Sequence, residues 1–257
     1  MMAGSPLRIA MWSGPRNISS AMMRSFGARA DTAVIDEPFY AAYLALSGAD
    51  HPMRAEVLAS QPQDWRAVVE ELLGPVPGGK PVWYQKLMTH HMLPQFGREW
   101  MRNARNAFLI RDPRYVLGSY MRVRDYSAVT LADIGIVQQR ELFEREADRL
   151  GAAPPVIEGA DVLADPPRML ASLCAAVGIP YTDAMLHWSA GRRDTDGVWA
   201  PAWYAAVESS TGFAPAPAAP AASANAPELP AALARIATQA PEHYAVLAQH
   251  KLRPLVV

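Results

Sequence analysis

The chain is short of cysteine, of net charge and of long apolar runs, and each shortage removes a class of function. Cys174 is the only cysteine among 257 residues. That excludes an internal disulfide and a cysteine-based zinc site, and it fits a reducing cytosol. Flanked by Leu173 and Ala175, it reads as core rather than nucleophile. Charged residues make up 19% of the chain and the net charge is -1. General nucleic-acid binding needs a basic surface and is not expected, although a neutral total is compatible with a local basic pocket. No apolar run approaches 18 residues, so no membrane span is expected. The N-terminus lacks a basic segment followed by a long apolar one, so no signal peptide is expected and a cytoplasmic protein is. There are no internal repeats. His90 and His91 are adjacent, and their side chains diverge, so one metal ion held by both is not expected and no metal site is assigned.

What is present is a 51% hydrophobic chain, long enough to bury a substantial core as one domain. Short apolar runs alternate with amphipathic stretches. Leu7 to Trp12, Thr32 to Ile35, Val82 to Lys86, Ala107 to Arg111 and Val156 to Gly159 read as strands. Helices are predicted from Ser19 to Ala28, from Tyr40 to Leu73 with a break at His51-Pro52, from Pro113, from Leu131 to Leu150, from Pro167 to Val177 and from Pro230 to Gln249. The alternation predicts an α/β fold with a mainly parallel sheet. Residues 1–213 are assigned to this domain, the Ala- and Pro-rich stretch 214–227 to an extended linker, and 228–257 to a C-terminal helix docked on the same body.

The first strand runs into Ser13-Gly14-Pro15-Arg16-Asn17-Ile18-Ser19-Ser20 and then a helix. A tight turn, a helix N-terminus, an arginine and two hydroxyls together make an anion site, of which phosphate is the commonest occupant. It is not the Walker A loop, which needs a Gly-Lys pair before the hydroxyl; here Ile18 stands there. Glu37 follows the second strand. In parallel sheets ligands collect at the carboxyl ends of strands, which puts Glu37 on the same edge as the loop. Arg111 ends the fourth run. A guanidinium leaving a buried strand needs an anionic partner, a carboxylate or a phosphate. Ser119, eight positions on, lies about two turns into the following helix.

These segments together resemble the sulfotransferase family. Pro15-Arg16-Asn17-Ile18-Ser19-Ser20 is similar to its 5′-phosphosulfate loop, whose usual form is Pro, Lys or Arg, a hydroxyl residue, Gly and two more hydroxyl residues. Phe108 to Tyr120 looks like its 3′-phosphate element, with Arg111 and Ser119 at the family's spacing and about 95 residues after the loop. The resemblance is loose over Leu7 to Phe213 and specific only in these two motifs. Asn17 and Ile18 depart from the usual loop; an Ile is compatible if its side chain enters the core while its N–H still faces the sulfate.

The resemblance implies a three-layer fold like that of P-loop NTPases, with a central sheet flanked by helices. It also implies a donor co-substrate, 3′-phosphoadenosine 5′-phosphosulfate (PAPS), with 3′,5′-ADP (PAP) as product and a small-molecule hydroxyl or amine as acceptor. Gly14, Pro15, Arg16, Asn17, Ile18, Ser19 and Ser20 would then hold the phosphosulfate, and Arg111 and Ser119 the 3′-phosphate. Arg192 and Arg193 would add a second clamp, as a basic late loop does in the family. Arg16 would also stabilise the leaving oxygen, and the general base would be Glu37, His90 or His91, with Glu37 preferred. Two alternatives stay open: a P-loop kinase or other ATP-dependent phosphotransferase, and a catalytically silent nucleotide-binding member. Trp83, Tyr84, Trp199, Trp203 and Tyr204 could line an acceptor pocket, with core packing the role of most of them. A homo-oligomer is left open.

Overall fold

A computed structural model describes residues 5–121, 129–214 and 229–255. The five apolar runs become β1 (Leu7–Ser13), β2 (Thr32–Asp36), β3 (Val82–Met88), β4 (Arg105–Ile110) and β5 (Val156–Glu158). They form one sheet in the order β2-β3-β1-β4-β5, and every pairing is parallel. Helices cover both faces of such a sheet, so its strands carry continuous apolar runs; all seven residues of β3 are buried.

The helices are α1 (Ser19–Gly27), α2 (Tyr40–Ser47), α3 (Arg54–Ser60), α4 (Trp65–Leu73), α5 (Pro113–Tyr120), α6 (Ile136–Leu150), α7 (Gly159–Ala164), α8 (Pro166–Val177), the short α9 (Ala200–Trp203) and α10 (Ala205–Glu208), and α11 (Ala231–Ala248). On one face, α1 and α8 set Met22, Met23, Phe26, Leu170 and Leu173 against Ile9, Met11, Tyr84, Leu109 and Ile157. On the other, α4, α6 and α11 set Val68, Leu72, Leu142, Phe143 and Leu247 against Trp12, Leu87, Phe108 and Ile110. Three layers result.

Two helix boundaries differ from those read in the sequence. The stretch from Tyr40 to Leu73 breaks twice, because Pro62 forces Gln61 out of the helical region into an extended conformation (φ −138°, ψ 159°). The helix expected from Leu131 starts only at Ile136. Gly135 precedes it with φ +67°, and a Cβ there would meet Thr89 Oγ1 at 2.5 Å, so this position must be glycine and interrupts the helix. Of the linker assigned to 214–227, all but Ala214 lies outside the described residues.

The strand order decides where a ligand can sit. From β1 the chain leaves toward β2, and from β4 it leaves toward β5, so the connections part between these neighbouring strands. A crevice opens at the carboxyl ends of such a pair. The segment from Gly191 to Phe213 folds back across this edge and is anchored from beneath. Arg24 of α1 meets Asp196 at 2.6 Å with both side chains buried. Gly197 N–H donates to Asp36 at 3.1 Å, and Trp199 is wholly buried.

Breaking a buried pair from one side leaves the other charge uncompensated. Arg24→Met is therefore expected to cost about 3–5 kcal/mol, and the double variant Arg24→Met/Asp196→Asn distinctly less, as measured by urea unfolding.

Candidate active site

Two separated stretches meet at the crevice. The loop from β1 to α1 places Arg16 in the left-handed region, at φ +57°. The Arg111 guanidinium, at the end of β4, donates to the Arg16 carbonyl at 2.5 Å. Arg16 Nε in turn donates to Ser119 Oγ at 3.1 Å, and Asn17 Nδ2 donates to the Leu109 carbonyl at 3.3 Å. The two motifs, 95 residues apart at Arg16 and Arg111, thus brace each other. α1 begins at Ser19 with no side-chain cap from Ile18, which leaves its first turn of N–H groups and its positive dipole end toward the loop.

Ile18 meets only half of the expectation set for it. Its side chain packs on the core, but its N–H donates to the Asn17 side-chain oxygen at 2.8 Å and is taken. Gly159 makes room for this arrangement, since a Cβ there would meet Asn17 Oδ1 at 2.5 Å.

On the β2–β3 side, Glu37 also occupies the left-handed region, at φ +42°. Its N–H donates to the Lys86 carbonyl at 3.0 Å, and its own carbonyl accepts from Gln61 Nε2 at 3.2 Å. Lys86 is the register partner of Asp36 across β2 and β3 and is 1% exposed. Its ammonium donates to Glu37 Oε1 at 2.5 Å, to Tyr204 Oη at 2.7 Å and to Asp36 Oδ1 at 2.9 Å. The Tyr204 hydroxyl donates to the Asp36 carboxylate, at 2.7 Å and 2.8 Å from its two oxygens.

These charges and their burial set the proton affinities. Burial pushes the Glu37 carboxyl above its ordinary value, and the Asp36 charge adds to this, while Lys86 pulls against it. Burial works against the Lys86 ammonium, but Asp36 and Glu37 more than offset it and hold it well above the usual lysine range. Burial lowers His90 to about 3 and His91 well below its ordinary value; His51 and Lys86 push both the same way. His91 lies stacked between the rings of Tyr40 (4.6 Å) and Tyr43 (4.9 Å). Among the described residues nothing bonds Nδ1 of either histidine, so a proton there would stand uncompensated. Burial thus favours the neutral form of both rings.

One cavity of about 430 Å³ joins these groups. It is lined by Pro15, Arg16, Asn17, Ile18, Ser19 and Ser20, by Arg111 and Ser119, and by Glu37, His90 and His91. Gly14 lies just outside it, packed so closely that a Cβ would meet the Ile134 carbonyl at 2.8 Å. Arg192 and Arg193, expected as a second clamp, lie apart from these groups. Neither lines the cavity: Arg192 is exposed, and the Arg193 guanidinium turns back to the Ser189 carbonyl at 2.6 Å. Of the aromatic candidates, Trp203 and Tyr204 line the cavity; Trp83, Tyr84 and Trp199 are core. Sequence reasoning overlooked Lys86, Asp36 and Tyr204 as a connected group. The signal was there for two of them, since a lysine near the end of an apolar strand needs an anion just as Arg111 does.

A family model described as a sulfotransferase domain matches residues 7–242. Branched-chain-amino-acid aminotransferase-like protein 1 of Arabidopsis thaliana is 36% identical over 208 residues, 81% of this chain and 37% of that protein. Protein 2 of the same name is 34% identical over 202 residues, 79% of this chain and 35% of that protein. The chain therefore spans little more than a third of the length of these curated relatives, and their names describe far longer proteins. Among solved structures, the sulfotransferase domain of the Synechococcus PCC 7002 olefin synthase shares the fold. Its TM-score is 0.52 at 17% identity, over 91% of this chain and 94% of that domain.

The buried histidines give stability a pH dependence. The unfolded chain protonates a histidine near pH 6.5, the folded one His90 only at about 3. Between these values the unfolded state binds more protons, so stability falls as pH falls. From pH 7 to pH 5 the loss is about 2 kcal/mol for His90. Glu37, raised on folding, acts in the opposite sense. The check is a comparison of urea midpoints at both pH values: His90→Gln keeps Glu37 and should lose about 2 kcal/mol less than the wild type.

Proposed function

The chain belongs to the sulfotransferase family, and from that premise we propose that it moves a sulfuryl group from PAPS to a hydroxyl or amine of a small-molecule acceptor. The observation that carries this reading is the interlock of Arg16, Arg111 and Ser119 at one side of a cavity whose other side holds Glu37. Two arginines and the open first turn of α1 suit a donor with two separated anionic groups. A 3′-phosphate is what separates that donor from ATP, and Arg111 with Ser119 is the pair to hold it.

When bound, the donor supplies the sulfuryl group. Transfer of this kind resembles phosphoryl transfer, in which negative charge moves onto the leaving oxygen and catalysis is mostly positioning and electrostatics. Arg16 stays protonated at any working pH, so its part is to stabilise that charge and not to give a proton. Glu37 takes the proton of the acceptor hydroxyl or amine. Its Oε1 is held by Lys86, and Oε2 is the oxygen for the incoming proton. A base works best with its midpoint near the operating pH. Glu37, raised by burial, moves toward that range; His90, lowered to about 3, moves away from it.

Two measurements test this. Saturating 3′,5′-ADP, at about 100 times its dissociation constant, should stabilise the protein by about 2.7 kcal/mol. That is a rise of several degrees in Tm, lost in Arg111→Ala and not reproduced by ATP with Mg²⁺. A rise with ATP alone would favour a phosphotransferase instead, and no rise with any of these nucleotides would oppose donor binding. With an acceptor in hand, Glu37→Gln should lower kcat about 10²- to 10⁴-fold while keeping the rise with 3′,5′-ADP. Only the ionised carboxyl accepts a proton, so wild-type kcat/KM should climb with pH through a midpoint above the ordinary carboxylate range. A limb near pH 3 would point to His90.

A further inference from the structure

Lys86 is a cation at the cavity edge, and a cation there invites the reading that it grips the donor. Its bonding says otherwise. An ammonium has three protons to give, and all three are placed: on Asp36, on Glu37 and on Tyr204. The side chain is 1% exposed, so a sulfate would have to displace a carboxylate to reach it. Asp36 is equally committed. Beyond Lys86 it accepts from the Tyr204 hydroxyl and from Gly197 N–H. Glu37 is the exception. Lys86 and Glu37 both line the cavity, but the Glu37 side chain is 12% exposed against 1% for Lys86. The group thus consists of two almost fully buried, mutually paired charges and one carboxylate more open to the ligand space.

We propose that the Asp36–Lys86 pair, pinned by Tyr204, sets the proton affinity of Glu37, and that Lys86 is a positioning residue rather than a contact for the donor. This rests on the reading of Glu37 as the base. The electrostatics have a defined sign at each member. Lys86 favours the ionised form of Glu37, and Asp36 opposes it. Charge removal at Lys86 should therefore raise the Glu37 midpoint, and charge removal at Asp36 should lower it. A role limited to packing predicts no such opposition. The other titratable groups facing the same space are His90 and His91 after β3, Tyr40 and His51, and Arg16, Arg111 and Tyr120. All of these are retained in both variants. Tyr204, between α9 and α10, extends the group to the late segment through its hydroxyl on the Asp36 carboxylate.

The test is a carboxyl ¹³C NMR titration of the full chain without donor or acceptor, with the Glu37 signal assigned by its loss in Glu37→Gln. Relative to wild type, Lys86→Met should raise the Glu37 midpoint by about one unit or more. Asp36→Asn should lower it, and Lys86→Arg, which keeps the charge, should restore it most of the way. A midpoint unmoved or lowered in Lys86→Met, or moved in the same direction by both variants, would overturn the proposal. If Asp36→Asn does not fold, the comparison of Lys86→Met with Lys86→Arg decides alone. The titration needs no turnover, so it separates two failures. Opposed shifts in a protein that transfers no sulfuryl group support the charge relation and count against the function. Transferase activity with an unmoved midpoint does the reverse.

Discussion

Taking the Lys86 ammonium out of water costs several kcal/mol, and the surrounding structure is arranged to offset that cost. β2 supplies Asp36 as its register partner. The turn after β2 supplies Glu37, and the late segment supplies the Tyr204 hydroxyl. Remove the ammonium and two carboxylates are left close together beside an apolar sheet edge. The buried charge therefore ties the β2–β3 register, the turn that carries Glu37 and the docking of the segment from Gly191 to Phe213 into one unit. A second buried pair, Arg24 with Asp196, fastens the same segment to α1.

Backbone strain falls in the same places. Three non-glycine residues among those described have positive φ: Arg16, Glu37 and Met53. Such conformations cost of order 1–3 kcal/mol each and last only where their surroundings over-determine them. Met53, ahead of α3, shows that strain alone does not mark a site. At Arg16 and Glu37 the determinants are visible. Arg111 holds the Arg16 carbonyl, and Lys86 and Gln61 hold the Glu37 backbone. In both cases a residue at the end of a strand fixes a turn at the end of another strand.

The sequence carried the parts of this that local chemistry dictates. A strand buried on both faces must be apolar throughout, so all five strands were readable, as were Arg111 and Ser119 from their spacing along a strand end and a helix. Glu37 was readable from its place after β2. Tertiary relations were not. The Ile18 N–H could be assigned to an anion only until the structure placed the Asn17 side chain on it. Arg192 and Arg193 had the right composition, yet nothing local tells whether a loop arginine reaches inward, and Arg193 returns to its own loop. The surroundings of the histidines were hidden for a related reason. A pair of them after a strand suggests proton chemistry until Tyr40 and Tyr43 are seen stacked on His91. Burial, with nothing bonded to Nδ1 among the described residues, lowers the proton affinity of both rings.

The cavity sets a further problem, because it contains two guanidiniums and a carboxylate in one shared space of about 430 Å³. In a medium less polar than water, unlike charges attract strongly. A direct Arg16–Glu37 ion pair would satisfy both and remove both from use. Local partners oppose that collapse on each side. Arg16 is committed to Ser119 through Nε, and its backbone is clamped by Arg111. Glu37 is committed to Lys86 through Oε1. Each charge is thus stabilised by its own neighbours enough to stay where it is, while keeping a face toward the cavity. Arginine suits the first side because it never loses its charge. A carboxylate held between a lysine and an aspartate suits the second, because two buried charges of opposite sign act on its proton affinity in opposite directions.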